Sequence, residues 1–460
     1  MGLLDELAGF ITDVRFEDLS SETVHSTKLH IFDSLGALLT GACTEEAKAN
    51  GDFIKEMVFS KDGTNVRVPG FSFNAPLPYA VLLSCIAARL TETDDIDIVS
   101  CTTPGSVIVP AALLLAFNRG ASSKKFIEGV VTGYEVITRL GAAVNGPEIL
   151  YQGIWPTYLC GAIAVATVGS KILGLAPKQV KNALAISLTL STGISGKIRG
   201  HLTSRWLTLG CAAHNGLIAS LAAARGLLGD ETLLEKFFPS VYGLSLNPNV
   251  LLEGLGKRFQ IGKVNIKPYC TARQALASIE AFRGLLERDK IDPERVEAIE
   301  VIVPQPYSQM IDRNLFPEDR MASIVSIQYQ LAMAAFYEED LFDVERSLLR
   351  DEKRIHHFMQ KVRVKPSSEL TTLYPSKWPG KISLQVSGRK YESEVLSPKG
   401  DPGQSMTWEE VEQKIKRLTR RFHPPSRIEE LKAIVKRVDG DTPVGELLHC
   451  MRGDQREQAS

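Results

Sequence analysis

Apolar residues recur at helical spacing through the first half of the chain. Residues 20–39 carry leucine, isoleucine, valine and phenylalanine at intervals of three and four positions, which predicts a helix. Alanine-rich segments follow at 78–90, 107–117, 124–144, 156–173, 177–190 and 207–228. Helices that are apolar or small on several faces are usually buried against other helices. The pattern therefore predicts a bundle-like helical domain without strands.

Beyond residue 296 the pattern changes to the alternation that is typical of strands. Residues 296–303 and 361–365 alternate β-branched and polar positions, and residues 381–395 predict two strands joined at Ser387-Gly388. Helices are predicted among them at 271–286 and 324–336. The PKGDPG turn at 398–403 closes this α+β unit, and Thr407 with Glu410 predicts a capping box for a last pair of helices ending near Lys436.

These patterns predict a mainly α protein with two domains, since 460 residues are many for one core. We expect a large all-helical domain from residues 1–266 and 398–460. We expect residues 267–397 to form a smaller α+β domain, inserted before the C-terminal helices.

Charge and composition exclude several classes of partner. The chain has 53 basic and 54 acidic residues, so no overall field attracts nucleic acid or an anionic membrane. Asp5 and Glu6 stand where a signal peptide would be basic, and apolar runs such as 159–168 are too short to span a membrane. The seven cysteines are scattered without a CxxC motif, which indicates reduced thiols. We therefore expect a cytoplasmic protein.

The stretch 91–110 places Asp94, Asp95 and Asp97 between two apolar helices. Loops usually lie on the surface, where carboxylates need no partner, so a solvated turn is one interpretation. The other, which we favour, is the wall of a cleft that carries acid or base groups.

A cationic segment follows in the second half of the helical region. Lys197, Arg199, His201 and Arg205 fall within nine residues. A solvated basic loop explains each one singly, but together they suit a substrate with two or more carboxylates, because arginine can bind a carboxylate through two hydrogen bonds.

Two further candidates lie near the α+β unit. Lys267 and Arg273 flank a predicted helix start capped by Thr271, which suits an anion, although two surface cations beside a cap would look the same. Tyr329 lies on an apolar helix, where a buried ring with a local hydrogen bond is the common case.

The motifs of the common cofactors are absent. There is no GxGxxG after a strand, no Walker loop, no GxSxG and no HExxH, so we expect neither an organic cofactor nor a metal site.

Taken together, several short segments resemble the MmgE/PrpD family, which includes 2-methylcitrate dehydratase, cis-aconitate decarboxylase and iminodisuccinate epimerase. The matching segments are 31–38 (IFDSLGAL), 94–95 (DD), 103–106 (TPGS) through 110–112 (PAA), 155–157 (WPT), 210–216 (GCAAHNG), 267–269 (KPY), 326–329 (SIQY) and 400–402 (GDP). The resemblance implies a helical domain completed by the C-terminus, an α+β lid, an active site between them, homodimers, and catalysis without an organic cofactor or obligatory metal.

The chain departs from the family at several positions. Thr103, Trp155 and Gln274 stand where the family has histidines. The family's lysine falls on Arg205, or on Lys197 if the loop has shifted.

The resemblance implies proton transfer at a carbon beside a carboxylate, which needs a base and cations for the developing enolate. Candidate catalytic residues are Asp94, Asp95, Asp97, Lys197, His201 and Tyr329, and candidate substrate-binding residues are Arg199, Arg205, Lys267, Arg273, Gln274, Thr103 and Trp155. The first hypothesis is a lyase that removes water or carbon dioxide from a small carboxylic acid. The alternatives are an isomerase or epimerase, and a non-catalytic binding protein that keeps the fold.

Overall fold

The computed structural model describes residues 2–58, 65–194, 203–313, 316–345 and 352–452, apart from the side chains of Phe237 and Phe238. These residues pack into two compact units. Unit 1 comprises the described residues of 2–264 and 408–452, and unit 2 comprises those of 265–407. The domain boundaries predicted from the sequence remain predictions.

The helices are α1 Leu3–Asp13, α2 Ser21–Gly41, α3 Glu45–Met57, α4 Leu77–Leu90, α5 Gly105–Arg119, α6 Ser123–Ala143, α7 Gly146–Ile149, α8 Pro156–Leu173, α9 Pro177–Thr189, α10 Ser204–Ala224, α11 Phe238–Tyr242, α12 Pro248–Leu252, α13 Leu276–Arg288, α14 Gln305–Ile311, α15 Arg320–Val325, α16 Ile327–Phe336, α17 Glu352–Met359, α18 Ser368–Thr371, α19 Trp408–Thr419, α20 Pro425–Lys436 and α21 Val444–Cys450. The strands are β1 Asn65–Arg67, β2 Asn74–Pro76, β3 Val296–Pro304, β4 Val362–Ser367, β5 Gly380–Val386 and β6 Arg389–Val395. The protein is therefore mainly α with a small α+β part, as predicted.

Unit 1 is a bundle whose central helices approach closely through small residues. A Cβ atom at Gly216 of α10 would lie 2.2 Å from the carbonyl oxygen of Ala162 in α8, and one at Gly41 of α2 would lie 1.8 Å from that of Ala87 in α4. Any larger side chain would push these helices apart and open voids in a close-packed core. This confirms the helices predicted from the alanine-rich segments, which form α4, α5, α6, α8, α9 and α10. The prediction that this domain has no strands was wrong, because β1 and β2 lie in unit 1.

Among the described residues, α8 and α10 are long and apolar enough to cross a membrane, but 94% of α8 lies buried inside the protein and half of α10 does. Core helices of a folded domain pass the same test. The run 159–168, predicted to be too short to span a membrane, is part of the longer helix α8. Lys171 lies in the same helix and donates its ammonium to the carbonyl of Ile11 at 2.8 Å. The seven cysteines are all free.

Unit 2 contains a four-stranded sheet in the order β4-β3-β5-β6, in which β3 and β4 are parallel and the other pairs antiparallel. Ser387 and Gly388 join β5 to β6 with φ angles of 49° and 73°, the left-handed conformation that a two-residue hairpin turn requires. Helix α13 packs against β5 and β6. The predicted strands of this region are confirmed.

Several local predictions were wrong. The helix expected at 271–286 begins at Leu276, after a 3₁₀ turn over Arg273–Ala275, so Thr271 does not cap it. The helix expected at 324–336 is broken at Ser326, whose hydroxyl accepts from the N–H of Tyr329 at 3.2 Å and so caps α16. Strands β1 and β2 and helix α21 were not predicted, because they are too short to show a period.

Candidate active site

The acidic loop between α4 and α5 is buried. Asp94, Asp95 and Asp97 expose 1%, 0% and 7% of their surface. Carboxylates are rarely buried unless they are paired and hydrogen-bonded, so each needs partners. The solvated-turn interpretation of this loop is wrong.

Asp95 anchors the loop to the start of α5. One carboxylate oxygen accepts from the N–H of Gly105 at 2.8 Å, and the other accepts from the hydroxyl of Tyr134 at 2.6 Å and lies 2.8 Å from Nδ1 of His30. A Cβ at Gly105 would lie 2.8 Å from Asp95, so only glycine allows this approach. Burial, and then the Asp95 charge, raise the pKa of Tyr134 well above its ordinary value, which keeps its hydroxyl a donor.

A second carboxylate lies close by on α2. Asp33 pairs with the ammonium of Lys414 at 2.6 Å, and Lys414 also donates to the carbonyl of Thr93 at 2.8 Å. Burial raises the pKa of Asp33 above its usual range, and the lysine opposes this rise. Helix α19 is thereby tied to both α2 and the acidic loop.

Asp94 begins a chain of buried charges. Arg89 Nη1 lies 2.6 Å from Asp94 and 2.9 Å from Glu92, and Arg205 Nη2 lies 3.2 Å from the other oxygen of Glu92. Burial alone would lower the pKa of Arg89, but Asp94 and Glu92 outweigh it and raise the pKa, so the guanidinium stays charged. The four charges compensate one another, and Arg205, predicted to bind substrate, has a carboxylate of the protein beside it.

Arg205 also covers the ring of Trp155. Its guanidinium carbon lies 4.5 Å from the indole centroid, within the range of a cation–π contact. The Trp155 ring is stacked on that of Tyr158 at 5.5 Å, and Tyr158 accepts from Arg205 Nε at 3.5 Å. Trp155 stands just before Pro156, the first residue of α8. The position that the resemblance assigns to a histidine is thus an aromatic surface held in place by a cation.

Asp97 makes a hydrogen bond within the loop, and Thr103 makes hydrogen bonds to the start of α8. Asp97 accepts from the N–H of Ser100 at 2.8 Å, and its pKa is raised by burial against the opposing effect of these bonds. Thr103 donates its N–H to the Thr157 hydroxyl at 2.9 Å, and the two hydroxyls lie 3.1 Å apart. Asp97 therefore shapes the loop, and Thr103 joins the loop to the start of α8.

Three of the predicted residues, Lys197, Arg199 and His201, lie outside the described residues.

In unit 2 the predicted cations are buried. Lys267 and Arg273 each expose 3% of their surface. Nη2 of Arg273 binds both carboxylate oxygens of Asp401, at 2.6 and 2.7 Å, and Asn265 donates to the same carboxylate. Burial raises the pKa of Asp401, while Arg273 and Asn265 oppose the rise.

The 398–403 turn sets the position of Asp401. Gly400 has a φ of 96°, and a Cβ there would lie 2.0 Å from the carbonyl oxygen of Ile266. The N–H of Ile266 donates to the carbonyl of Gly400 at 3.3 Å. Only glycine fits this close approach, which brings Asp401 to Arg273 across 128 positions of sequence.

Two nitrogen donors of the Arg273 guanidinium are buried and unsatisfied among the described residues. Its Nε and Nη1 have no hydrogen-bond partner among the described residues, and neither has the hydroxyl of Thr271. Buried polar groups in native proteins are nearly always hydrogen-bonded, so orphan donors on a buried guanidinium point to a missing acceptor. An anionic ligand would supply that acceptor.

Tyr329 and Gln274 are also buried in unit 2, with 8% and 5% exposure. The Tyr329 ring packs edge-on against Phe316 at 6.2 Å. The adjacent Gln328 accepts from the N–H of Arg313 at 3.1 Å, which fixes the start of α16.

Sequence reasoning missed several of these groups. His30, Asp33, Arg89, Tyr134 and Lys414 are polar residues within apolar or amphipathic helices, and that position was the available signal. Their partners are distant in sequence, so no spacing pattern reveals them. Among the residues that the structure describes, no group of three or more histidine, cysteine, aspartate or glutamate side chains could hold a metal ion.

The chain is similar to known proteins over most of its length. The MmgE/PrpD N-terminal domain matches residues 5–244 and the MmgE/PrpD C-terminal domain matches residues 269–440. The cis-aconitate decarboxylase-like protein oryM of Aspergillus oryzae is 24% identical over 98% of this chain and 97% of its own. The cis-aconitate decarboxylase of Aspergillus terreus is 22% identical over 98% and 96%. That of Mus musculus is 24% identical over 50% of this chain and 47% of its own.

Proposed function

The chain belongs to the MmgE/PrpD family, and we propose that it is a lyase of the dehydratase or decarboxylase type that acts on a small carboxylic acid. The cis-aconitate decarboxylases among its relatives support this class of reaction. Their low identity leaves room for a different acid as the substrate.

The observation that carries the proposal is the buried guanidinium of Arg273. Asp401 occupies Nη2, while Nε and Nη1 are buried without a partner among the described residues. Lys267, six positions earlier in the sequence, is buried as well. Since a buried cation is costly unless it is paired, these donors suit the carboxylate of a substrate.

A dehydration begins with removal of a proton from a carbon beside that carboxylate. A cation bound to the carboxylate stabilises the negative charge that develops on its oxygens, so Arg273 would lower the barrier as well as bind. Loss of hydroxide from the neighbouring carbon completes a dehydration. A decarboxylation needs no prior removal of a proton: the C–CO₂ bond breaks, its electron pair stays on the carbon, and the resulting carbanion takes up one proton.

The contacts of the two aspartates distinguish them from the other candidate bases. Asp95 has three partners and Asp94 is ion-paired with Arg89, so we assign both to holding the acidic loop. Tyr329, Lys197 and His201 remain the candidates for proton transfer. Replacing each singly and measuring single-turnover rates will identify the base, which should lose rate about 100-fold or more.

Calorimetric titration with citrate and cis-aconitate tests the carboxylate site. Arg273→Gln should weaken binding about tenfold or more, because two charge-assisted hydrogen bonds are lost. Arg283→Gln is the matched control, since Arg283 is a half-exposed arginine of unit 2 that pairs with Glu338. Unchanged affinity in Arg273→Gln would contradict the proposal. Deuterium uptake from solvent without net product would favour the isomerase instead.

We also propose that the protein is a homodimer that associates through the exposed side of α10. Ile218 on this helix is 36% exposed, and Leu227 and Leu228 after it are 55% and 74% exposed. Exposed apolar side chains that form a patch are typical of an interface. A second copy would cover it.

A further inference from the structure

Unit 1 contains a cleft of about 970 Å³ that involves none of the groups described above. It lies between the β1–β2 hairpin, the end of α5, the start of α20 and α21. Arg67, Arg427, Arg452 and His449 line it, and Glu430 is the one carboxylate among its described lining residues. The whole chain has a net charge of -1, so this excess of cations is local.

Two of the arginines are fixed by the protein backbone. Arg67 Nη1 donates to the carbonyl of Ser72 at 2.9 Å, and its Nε is buried without a partner among the described residues. Arg427 donates from Nε and Nη2 to the carbonyl of Cys450, both at 3.1 Å, at the end of α21. The guanidinium groups are therefore held in position before any ligand arrives, which reduces the entropy lost on binding.

The cations of the cleft also act on one another. Burial, and then the charge of Arg452, lower the pKa of Arg67. Helix α20 adds to the positive potential, because its first turn lines the cleft through Ser426 and its N-cap Pro424 makes no side-chain hydrogen bond. A bound anion would relieve this repulsion.

We propose that this cleft binds a multiply charged oxyanion, either a phosphorylated small molecule or a polycarboxylate. Planar guanidinium groups match the oxygens of both classes through paired hydrogen bonds. The cleft volume lies at the upper end of the range of small-molecule sites, about 300–1,000 Å³, so the ligand has room for more than a single phosphate.

Isothermal titration of the full chain with pyrophosphate, and separately with citrate, tests the site. Arg452→Gln and Arg67→Gln should each weaken binding about tenfold. Arg452 is exposed, so its replacement should not disturb folding even if the loss of Arg67 does. Glu430→Gln should tighten binding several-fold, because it removes the opposing carboxylate, and a gain of affinity does not arise from misfolding.

Two control variants distinguish binding in this cleft from binding at other cationic groups. Arg258→Gln removes an arginine of unit 1 that is 74% exposed and lies outside the cleft, and it should leave the affinity unchanged. Arg273→Gln should also leave pyrophosphate binding unchanged, which distinguishes the cleft from the substrate site. The two ligands are compared in the Arg273→Gln variant, where the proposed substrate site no longer contributes to citrate binding. There, tighter binding of pyrophosphate than of citrate identifies a phosphorylated ligand, and the reverse identifies a polycarboxylate. Absence of millimolar or tighter binding, or equal affinity in Arg452→Gln, Arg67→Gln and the wild type, overturns the proposal.

Discussion

Replacing Lys414 with methionine should lower the free energy of unfolding by about 3–5 kcal/mol, because the Asp33 carboxylate would stay buried without its cation. The ammonium lies 2.6 Å from Asp33, and the two side chains are 2% and 0% exposed. Methionine retains the apolar part of the lysine side chain, so the variant removes little beyond the charge and its hydrogen bonds. It also removes the bond to Thr93 that ties the acidic loop to α19.

The loss should be larger at pH 7 than at pH 5. Burial raises the pKa of Asp33 and Lys414 opposes the rise, so removal of the lysine raises this pKa further. The folded chain then binds a proton more readily than the unfolded chain, where an aspartate has a pKa of about 3.9. Stability therefore falls as the pH increases from about 4 through the folded pKa, and acidification restores part of it.

Urea unfolding at pH 5 and pH 7 measures both effects. Lys416→Met is the control, since Lys416 lies on the same helix and is 19% exposed; it should cost less than about 1 kcal/mol. The double variant Asp33→Leu/Lys414→Met should be more stable than Lys414→Met, because no unpaired charge stays buried. A loss below about 1 kcal/mol in Lys414→Met, or a double variant no more stable than the single one, would refute the reasoning.

Three further outcomes are expected. Gly105→Ala should lower the free energy of unfolding by about 1–3 kcal/mol in urea, since the new Cβ would lie 2.2 Å from the Ser34 hydroxyl; a smaller loss would show that the loop can shift. Gly400→Ala should weaken citrate binding in calorimetry, because a Cβ 2.0 Å from the carbonyl of Ile266 displaces the turn that carries Asp401, the partner of the arginine that we propose binds the substrate; unchanged affinity would contradict this role. Ile218→Asp should convert the proposed dimer to a monomer in light scattering, and a wild type of monomeric mass would contradict the dimer.

Most helices were predictable because their patterns are long. The alanine-rich segments give α4 to α6 and α8 to α10, since a helix that packs on several sides must be apolar or small on several sides. Strands β5 and β6 were predictable because Ser387-Gly388 supplies a two-residue turn between alternating segments. The strands β1 and β2 have three residues each, which is too few to show a period. The break at Ser326 depends on a hydroxyl cap, which the continuous apolar pattern of residues 324–336 does not indicate.

The candidate site was predictable only where its residues lie close together in sequence. Lys267 and Arg273 fall within seven positions and were predicted to bind a carboxylate. The partner that positions Arg273 is 128 residues away, and the lysine that pairs with Asp33 is 381 residues away. Such pairs are set by the packing of helices, so spacing along the chain cannot reveal them.

The buried charges around the acidic loop argue against a protein that merely keeps the fold. Replacing a buried ion pair with apolar groups is often neutral or stabilising, so stability alone does not explain Arg89, Glu92, Asp94 and Arg205. A positioning role explains the presence of these four charges better than stability does, because Glu92 pairs with Arg205 and Arg205 in turn covers the ring of Trp155. The chain thus keeps a costly network that fixes one aromatic surface where the resemblance expects a histidine. That arrangement favours a site adapted to a different acid over one that has been lost.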